Sequence, residues 1–284
     1  MLRLDRYRRA TDFLADAGAW LTEREAEHNL ILGIASGLED DETSATDEPP
    51  YLALVRDDAR PVAAALRTPP WNLLLSEVDD PAALAVLADD LAGAQLPGVT
   101  GPPHAVRHFA ASWTTMNGGR SEVAMEEGIY RLERVVHPPP VRGRARRATA
   151  DDRPLLREWV GAFHIEAGLP TERNRARTII DEWEPETGRQ FWLWDVEGRP
   201  VSLVGAGSPT PNGIRIGPVY TPPQERGHGY ASVLTAVASQ WNLDQGRRFC
   251  FLYTNLANAT ANHIYQAIGY ERVTDALMVR FTAE

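Results

Sequence analysis

The sequence predicts an α+β protein built as two consecutive halves, and three observations carry that reading. Short apolar runs of β type alternate with amphipathic helical stretches along the whole chain. A run of three prolines, Pro138-Pro139-Pro140, interrupts the alternation near its middle. The order of elements before that break is a fainter version of the order after it.

In the first half, helical patterns cover roughly residues 5–37. The acidic stretch from Glu39 to Pro50 repels itself, has nothing to bury, and reads as a mobile loop. Tyr51 to Arg56 and Val62 to Thr68 form a hairpin, and Leu73 to Leu75 is strand-like. Ala82 to Ala94 is helical, Val99-Thr100 is a short strand, His104 to Trp113 is helical, and Glu122 to Val135 is extended. Prolines lack the N–H that a helix or central strand requires, so neither crosses residues 138–140. The expected division is a first domain over 1–136, a linker over 137–147 that leads into the next strand, and a second domain over 148–284. Arg142, Arg144, Arg146 and Arg147 follow the prolines and read as a solvated linker or the first strand of the next domain.

In the second half, Thr149-Ala150-Asp151-Asp152 offers helix-capping chemistry ahead of an amphipathic run through Leu155, Leu156, Trp159, Val160 and Phe163. A further helix is expected from Arg173 to Trp183. Gln190 to Asp195 and Pro200 to Ala206 are strands joined at Glu197-Gly198. Ile214 to Tyr220 is a strand, Tyr230 to about Leu243 a long helix, and Phe249 to Tyr253 a short strand. Thr260 to Ile268 is a helix that Gly269 stops. Tyr270 to Val273 and Ala276 to Phe281 complete the reading as two strands.

Composition narrows the functional classes. Hydrophobic residues are 43% and charged residues 24% of 284, enough for a real core. A net charge of −10 repels phosphate, which argues against nucleic acid as a partner. No apolar stretch approaches a membrane span, and the charged start Met1-Leu2-Arg3-Leu4-Asp5-Arg6 lacks a secretory block. The single cysteine, Cys250, excludes an internal disulfide and fits a reducing compartment, so a cytoplasmic location is expected.

The chemistry concentrates in Val219-Tyr220-Thr221-Pro222-Pro223-Gln224-Glu225-Arg226-Gly227-His228-Gly229-Tyr230-Ala231, between a strand and a long helix. Glycines at 227 and 229 let the backbone turn tightly and approach a ligand. Successive N–H groups backed by a helix N-terminus suit a pyrophosphate; a mere strand-to-helix connector is the alternative. The segment resembles the acetyl-CoA signature of the GNAT superfamily, Q/R-x-x-G-x-G/A, through Gln224, Gly227 and Gly229, with Arg226 as its basic neighbour. Downstream, Asn258-Ala259-Thr260-Ala261-Asn262-His263-Ile264-Tyr265-Gln266-Ala267-Ile268-Gly269-Tyr270 resembles the closing motif of that family.

The resemblance covers roughly residues 145–281. It implies a mixed, twisted sheet flanked by helices, with the fourth and fifth strands splayed to admit acetyl-CoA as acyl donor, and no metal. It further implies that the backbone of Val219, Tyr220 and Thr221 pairs with the pantetheine arm. Gln224 belongs to the loop motif, and Arg226, Gly227, His228, Gly229, Tyr230 and Ala231 hold the pyrophosphate. Asn258 bonds the arm, and Tyr265 is the catalytic acid for the departing thiolate. Packing under the helix is the alternative for Tyr265, and helix capping for Asn258.

The strand Ile214 to Tyr220 carries no Asp or Glu, so the general base is open. His164, Glu166, Glu182 and Glu184 are candidates, each also readable as an ordinary solvated residue. Cys250 reads as a small buried apolar residue, and Trp192 and Trp194 as core or as a wall of an acceptor pocket. No second copy of the glycine signature follows any strand of the first half; its nearest counterpart, Leu73 to Asp80, has no glycine. That half is therefore expected to be a degenerate GNAT-like domain in a tandem pair. The expected activity is N-acetylation of a primary amine on a small molecule, with a protein or peptide amino group, or a non-catalytic acyl-CoA sensor, as alternatives.

Overall fold

A computed structural model of the chain describes residues 1–39, 48–168, 180–181, 183–185 and 189–282. The acidic loop after Glu39 falls largely outside them, as do most of the helix expected from Arg173 and the base candidate Glu182. The chain forms two compact units. The first comprises Met1–Ile129, Asn255–Ala257 and Val273–Glu284; the second comprises Tyr130–Thr254 and Asn258–Arg272.

The first unit runs β1 (Leu2–Tyr7), α1 (Ala10–Glu23), α2 (Asn29–Glu39), β2 (Tyr51–Asp57), β3 (Arg60–Arg67), β4 (Leu73–Leu75), α3 (Ala82–Asp90), β5 (Gly98–Gly101), α4 (Pro103–Asn117) and the start of β6 (Arg120–Leu132). Side chains alternate across its sheet as a pleated strand requires. Ala53 and Val55 of β2 face a core with α3 and α4, whereas Leu52 and Leu54 face α1 and α2. Residues 5–7 are strand, not helix as the sequence pattern predicts. Leu2 and Leu4 share the face that packs on the α3–α4 core, and β1 pairs with β2 throughout, Leu4 opposite Val55. The intervening charges, Arg3, Asp5 and Arg6, make that alternation look like a helix start.

The second unit contains β7 (Arg144–Arg147), α5 (Arg153–Glu166), β8 (Gln190–Val196), β9 (Arg199–Gly207), β10 (Gly213–Tyr220), α6 (Tyr230–Asp244), β11 (Phe249–Asn255) and α7 (Ala259–Ala267). Its strand order is β11-β10-β9-β8-β7. Phe191 and Leu193 of β8 face a core with α5, and Trp192 and Trp194 face one with α6 and α7. Glu197 and Gly198 both take positive φ, 53° and 78°, in the β8–β9 hairpin. Three of the four arginines after the prolines are anchored. Arg142 pairs with Glu197, and Arg146 bridges Asp152 at 2.6 Å and Asp195 at 2.8 Å. Arg147 lies over the rings of Trp192 and Trp241.

The two strands expected at 270–281 are one, β12 (Glu271–Thr282), since nothing at Thr274-Asp275 turns the chain. Leu277 to Arg280 pair antiparallel with Gly101 to Gly98 of β5, within the first unit. Leu277 is 1% exposed in the core with α3 and α4. Leu277→Ala should therefore cost about 2–5 kcal/mol by urea unfolding while leaving coenzyme A affinity unchanged. A cost under about 0.5 kcal/mol, the level of a surface change, would contradict this placement of β12.

Candidate functional site

Strands β10 and β11 run parallel but stay paired only at their start, Gly213 with Phe249, Ile214 with Cys250 and Arg215 with Phe251. Beyond that point β10 continues to Tyr220 and β11 to Asn255 without pairing to each other. The β10 backbone facing the gap is left to bond something else, since backbone polar groups demand partners. The opening starts at an irregularity. The β9–β10 register shifts between Ile216 and Val219, a bulge that bends the strand. Gly217 there has φ 144°, and Gly205 faces it so closely that a β-carbon would stand 2.8 Å from the Gly217 carbonyl oxygen.

Past β10 the chain makes a short 3₁₀ turn at Pro223–Glu225 and enters α6 through Gly227 and Gly229, with φ of 82° and 79°. Left-handed backbone is costly for any residue with a β-carbon. Gly229 is the N-cap of α6 and supplies no side-chain acceptor. The first amides of the helix therefore lack a side-chain partner at the positive end of its dipole. Arg226 turns back on the protein, its Nε donating to the Thr221 carbonyl at 2.8 Å and its Nη2 to Glu166 at 2.6 Å. What the loop presents outward is mainly backbone. His228 stacks on Tyr230 with centroids 5.3 Å apart, and Gln224 is exposed. Thr221 bonds Ser202, and Tyr220 packs its ring on Trp159.

Val219, Tyr230, Ala261, Ile264 and Tyr265 belong to one apolar cluster, so the end of β10, the start of α6, and α7 meet. Asn258 caps α7, its Oδ1 accepting from the Ala261 amide at 3.0 Å, which leaves its side-chain NH₂ available. Tyr265 is buried, packs edge-on against Tyr270, and its hydroxyl bonds none of the described residues. Burial alone pushes its pKa up to about 12, so it is protonated at neutral pH.

The base candidates are mostly committed elsewhere. Glu166 holds Arg226, and Glu184 is exposed beside Arg153 at 3.4 Å. His164 Nδ1 lies 2.7 Å from the Val160 carbonyl of its own helix. Trp192 and Trp194 are core, Trp192 lying edge-on to Trp241. Cys250 is buried, and its thiol is pushed up to about 12, mainly by burial, far from a reactive thiolate. Among the described residues no three His, Cys, Asp or Glu side chains gather as metal ligands, and no helix is long and apolar enough to cross a membrane.

Sequence reasoning missed one group near the bulge. Arg189, just before β8, lies across Gly207 and reaches the Gly217 carbonyl at 3.4 Å. Arg215, alternating with Ile214 and Ile216 on β10, was the visible half of that signal; Arg189 sits in no pattern.

The first unit repeats the order strand, loop, helix, strand with β4, α3 and β5, but its strands do not part. Leu73 pairs with Val99 and Leu74 with Thr100, and a β-carbon on Gly101 would stand 2.7 Å from the Leu75 carbonyl oxygen. The connecting backbone is already bonded, Ser76 N to Ala64 O and Glu77 N to His28 Nε2. The Ala82 amide at the start of α3 is taken by Asp80 at 2.9 Å.

The Acetyltransferase (GNAT) family model matches residues 154–270. A mycothiol acetyltransferase from Rhodococcus erythropolis is 28% identical over 151 residues, half of this chain and half of that relative. An uncharacterized N-acetyltransferase, YjgM, from Escherichia coli is 26% identical over 143 residues, 46% of this chain and 84% of its own. A tandem GNAT protein from the clavulanic acid biosynthesis pathway superposes with a TM-score of 0.57 at 14% identity, covering 99% of this chain and 98% of that one. That likeness extends the GNAT fold to both units. The opened β10–β11 pair, the uncapped glycine loop and these matches agree: residues 154–270 of the second half match the GNAT family of acetyltransferases, on a tandem GNAT fold.

Proposed function

We propose that the second unit moves an acetyl group from acetyl-CoA to a primary amine of a small molecule by direct attack. The observation that carries this reading is the parting of β10 from β11 beside a helix N-terminus with no side-chain cap. The backbone of Val219 to Thr221 takes the pantetheine arm as a strand would. Residues Arg226 to Ala231, with Gln224 shaping the turn, receive the pyrophosphate on their N–H groups. Asn258 donates its free NH₂ to the arm. The amine lone pair attacks the thioester carbon, the C–S bond breaks, and Tyr265 donates to the departing thiolate. With no carboxylate on β10, the ammonium proton leaves through water.

The first unit serves no second cofactor, its strands being closed and its helix N-terminus occupied by Asp80. A thiol-release assay with acetyl-CoA across small amines, including mycothiol-type acceptors, tests the activity. Calorimetry should show one coenzyme A per chain. Two equivalents would overturn the degenerate reading of the first unit. Binding without turnover on any amine, peptide amines included, would leave the sensor alternative.

A further inference from the structure

The row Arg189, Gly207, Arg215 crosses the sheet of the second unit on the α5 face. Gly207 is opposite Arg215 in the β9–β10 register, and an ideal β-carbon on Gly207 would stand 3.5 Å from Arg189 Cζ. A β-carbon at 207 would crowd the Arg189 stem, 3.3 Å from its Cγ, so glycine lets the side chain lie flat on the strand. Two cations are thus held next to each other, and the charge of Arg215 bears on Arg189. Arg189 has no carboxylate among the described residues. Its bond to the neutral Gly217 carbonyl is long, at 3.4 Å, and most of its donors have no partner among the described residues. Burial, and then the charge of Arg215, lower its pKa to about 10, so it remains cationic at neutral pH. Arg215 also donates to Ser208 at 3.2 Å.

The position is as telling as the charge. Arg215 is the last β10 residue paired with β11, and Gly217 begins the bulge where the strands part. The row therefore stands at the closed end of the opening assigned to the thioester, with the Arg189 guanidinium beside the Gly217 carbonyl where the strands begin to part.

We infer that the acceptor is an amino acid or amino-acid derivative, whose carboxylate Arg189 and Arg215 hold over Gly207 while its amine faces the thioester. This rests on the acetyl-transfer reading above. A planar carboxylate suits the guanidinium fork, which is why arginine in place of lysine matters here.

The test uses the whole chain, acetyl-CoA and matched pairs of free amino acids and their carboxamides, with polyamines and aminoglycosides as further amines. The acids should be acetylated with kcat/KM roughly 100-fold above the amides, as expected for losing a charge-assisted pair. Arg189→Gln should raise KM for the acid by a similar factor, leave kcat within about threefold, and bring the acid-to-amide ratio toward one. Arg189→Lys should lie between. Coenzyme A affinity, measured on each variant, should not change; if Arg189→Gln does not fold, Arg215→Gln must give the same pattern. Amides as good as acids, or equal loss on both in a folded variant, would overturn the carboxylate site. Acetylation of a polyamine or aminoglycoside but no amino acid would overturn it and leave acetyl transfer standing. No turnover of any amine would sink both.

Discussion

Gly227→Glu and Gly229→Glu should each yield a folded protein that no longer binds coenzyme A. Both glycines are exposed, with φ of 82° and 79°, and a β-carbon on Gly227 meets nothing within 4 Å. The fold therefore loses only the cost of placing an L-residue in left-handed backbone, about 1–2 kcal/mol. At Gly229 the new β-carbon would also press on Val141 at 3.2 Å, so that variant should be the less stable. The ligand loses much more. A carboxylate enters the place the loop keeps for negative charge, and the backbone no longer approaches closely. Affinity should fall by at least about a thousandfold, as several charge-assisted hydrogen bonds are lost together. Gly227→Ala separates the two effects, since it strains the loop without adding charge and should lose much less. Calorimetry on variants with native circular dichroism decides the matter, and unchanged affinity in the Glu variants would remove this loop from the cofactor site.

Tyr265→Phe should reduce kcat by roughly ten- to a thousandfold, the range for a general acid, while acetyl-CoA still binds. Phenylalanine keeps the packing against Tyr270, and the hydroxyl it removes bonds none of the described residues, so stability should hold or rise slightly. With its pKa near 12, Tyr265 stays protonated across the ordinary assay range, and no alkaline loss of kcat below about pH 10 should trace to it. Wild-type turnover in the variant, with chemistry shown to be rate-limiting, would make Tyr265 a packing residue.

What was legible in the sequence was local. The strand into β10, the glycines before α6, the Asn258 cap and the Gly269 stop are each written within a few residues, because left-handed backbone and capping need particular side chains. What was hidden depends on partners distant in sequence. The β1 strand shows its apolar face only once β2 lies beside it, and nothing near Leu277 announces that β5 is its partner. The closed state of β4 and β5 is likewise a matter of pairing. Its one local trace is the Asp79-Asp80 pair where the second unit has glycine. Arg189 escaped notice because its meaning comes from Gly207 and Gly217, neighbours that only the sheet supplies.

The pairing of β12 with β5 sets an order on biosynthesis. Gly98 to Gly101 emerge from a ribosome well before Leu277 to Arg280, which they need as partners. At about 5–20 residues per second the open side of β5 waits on the order of ten seconds or more, with Val99, Leu73 and the α3–α4 face only partly covered. An unpaired apolar strand edge is what chaperones and misassembly both exploit. The first half of this chain, though synthesised first, is thus the later of the two to mature. Nascent chains arrested before residue 273 should be cut readily by protease within residues 1–129, and protection there at that length would refute the delay.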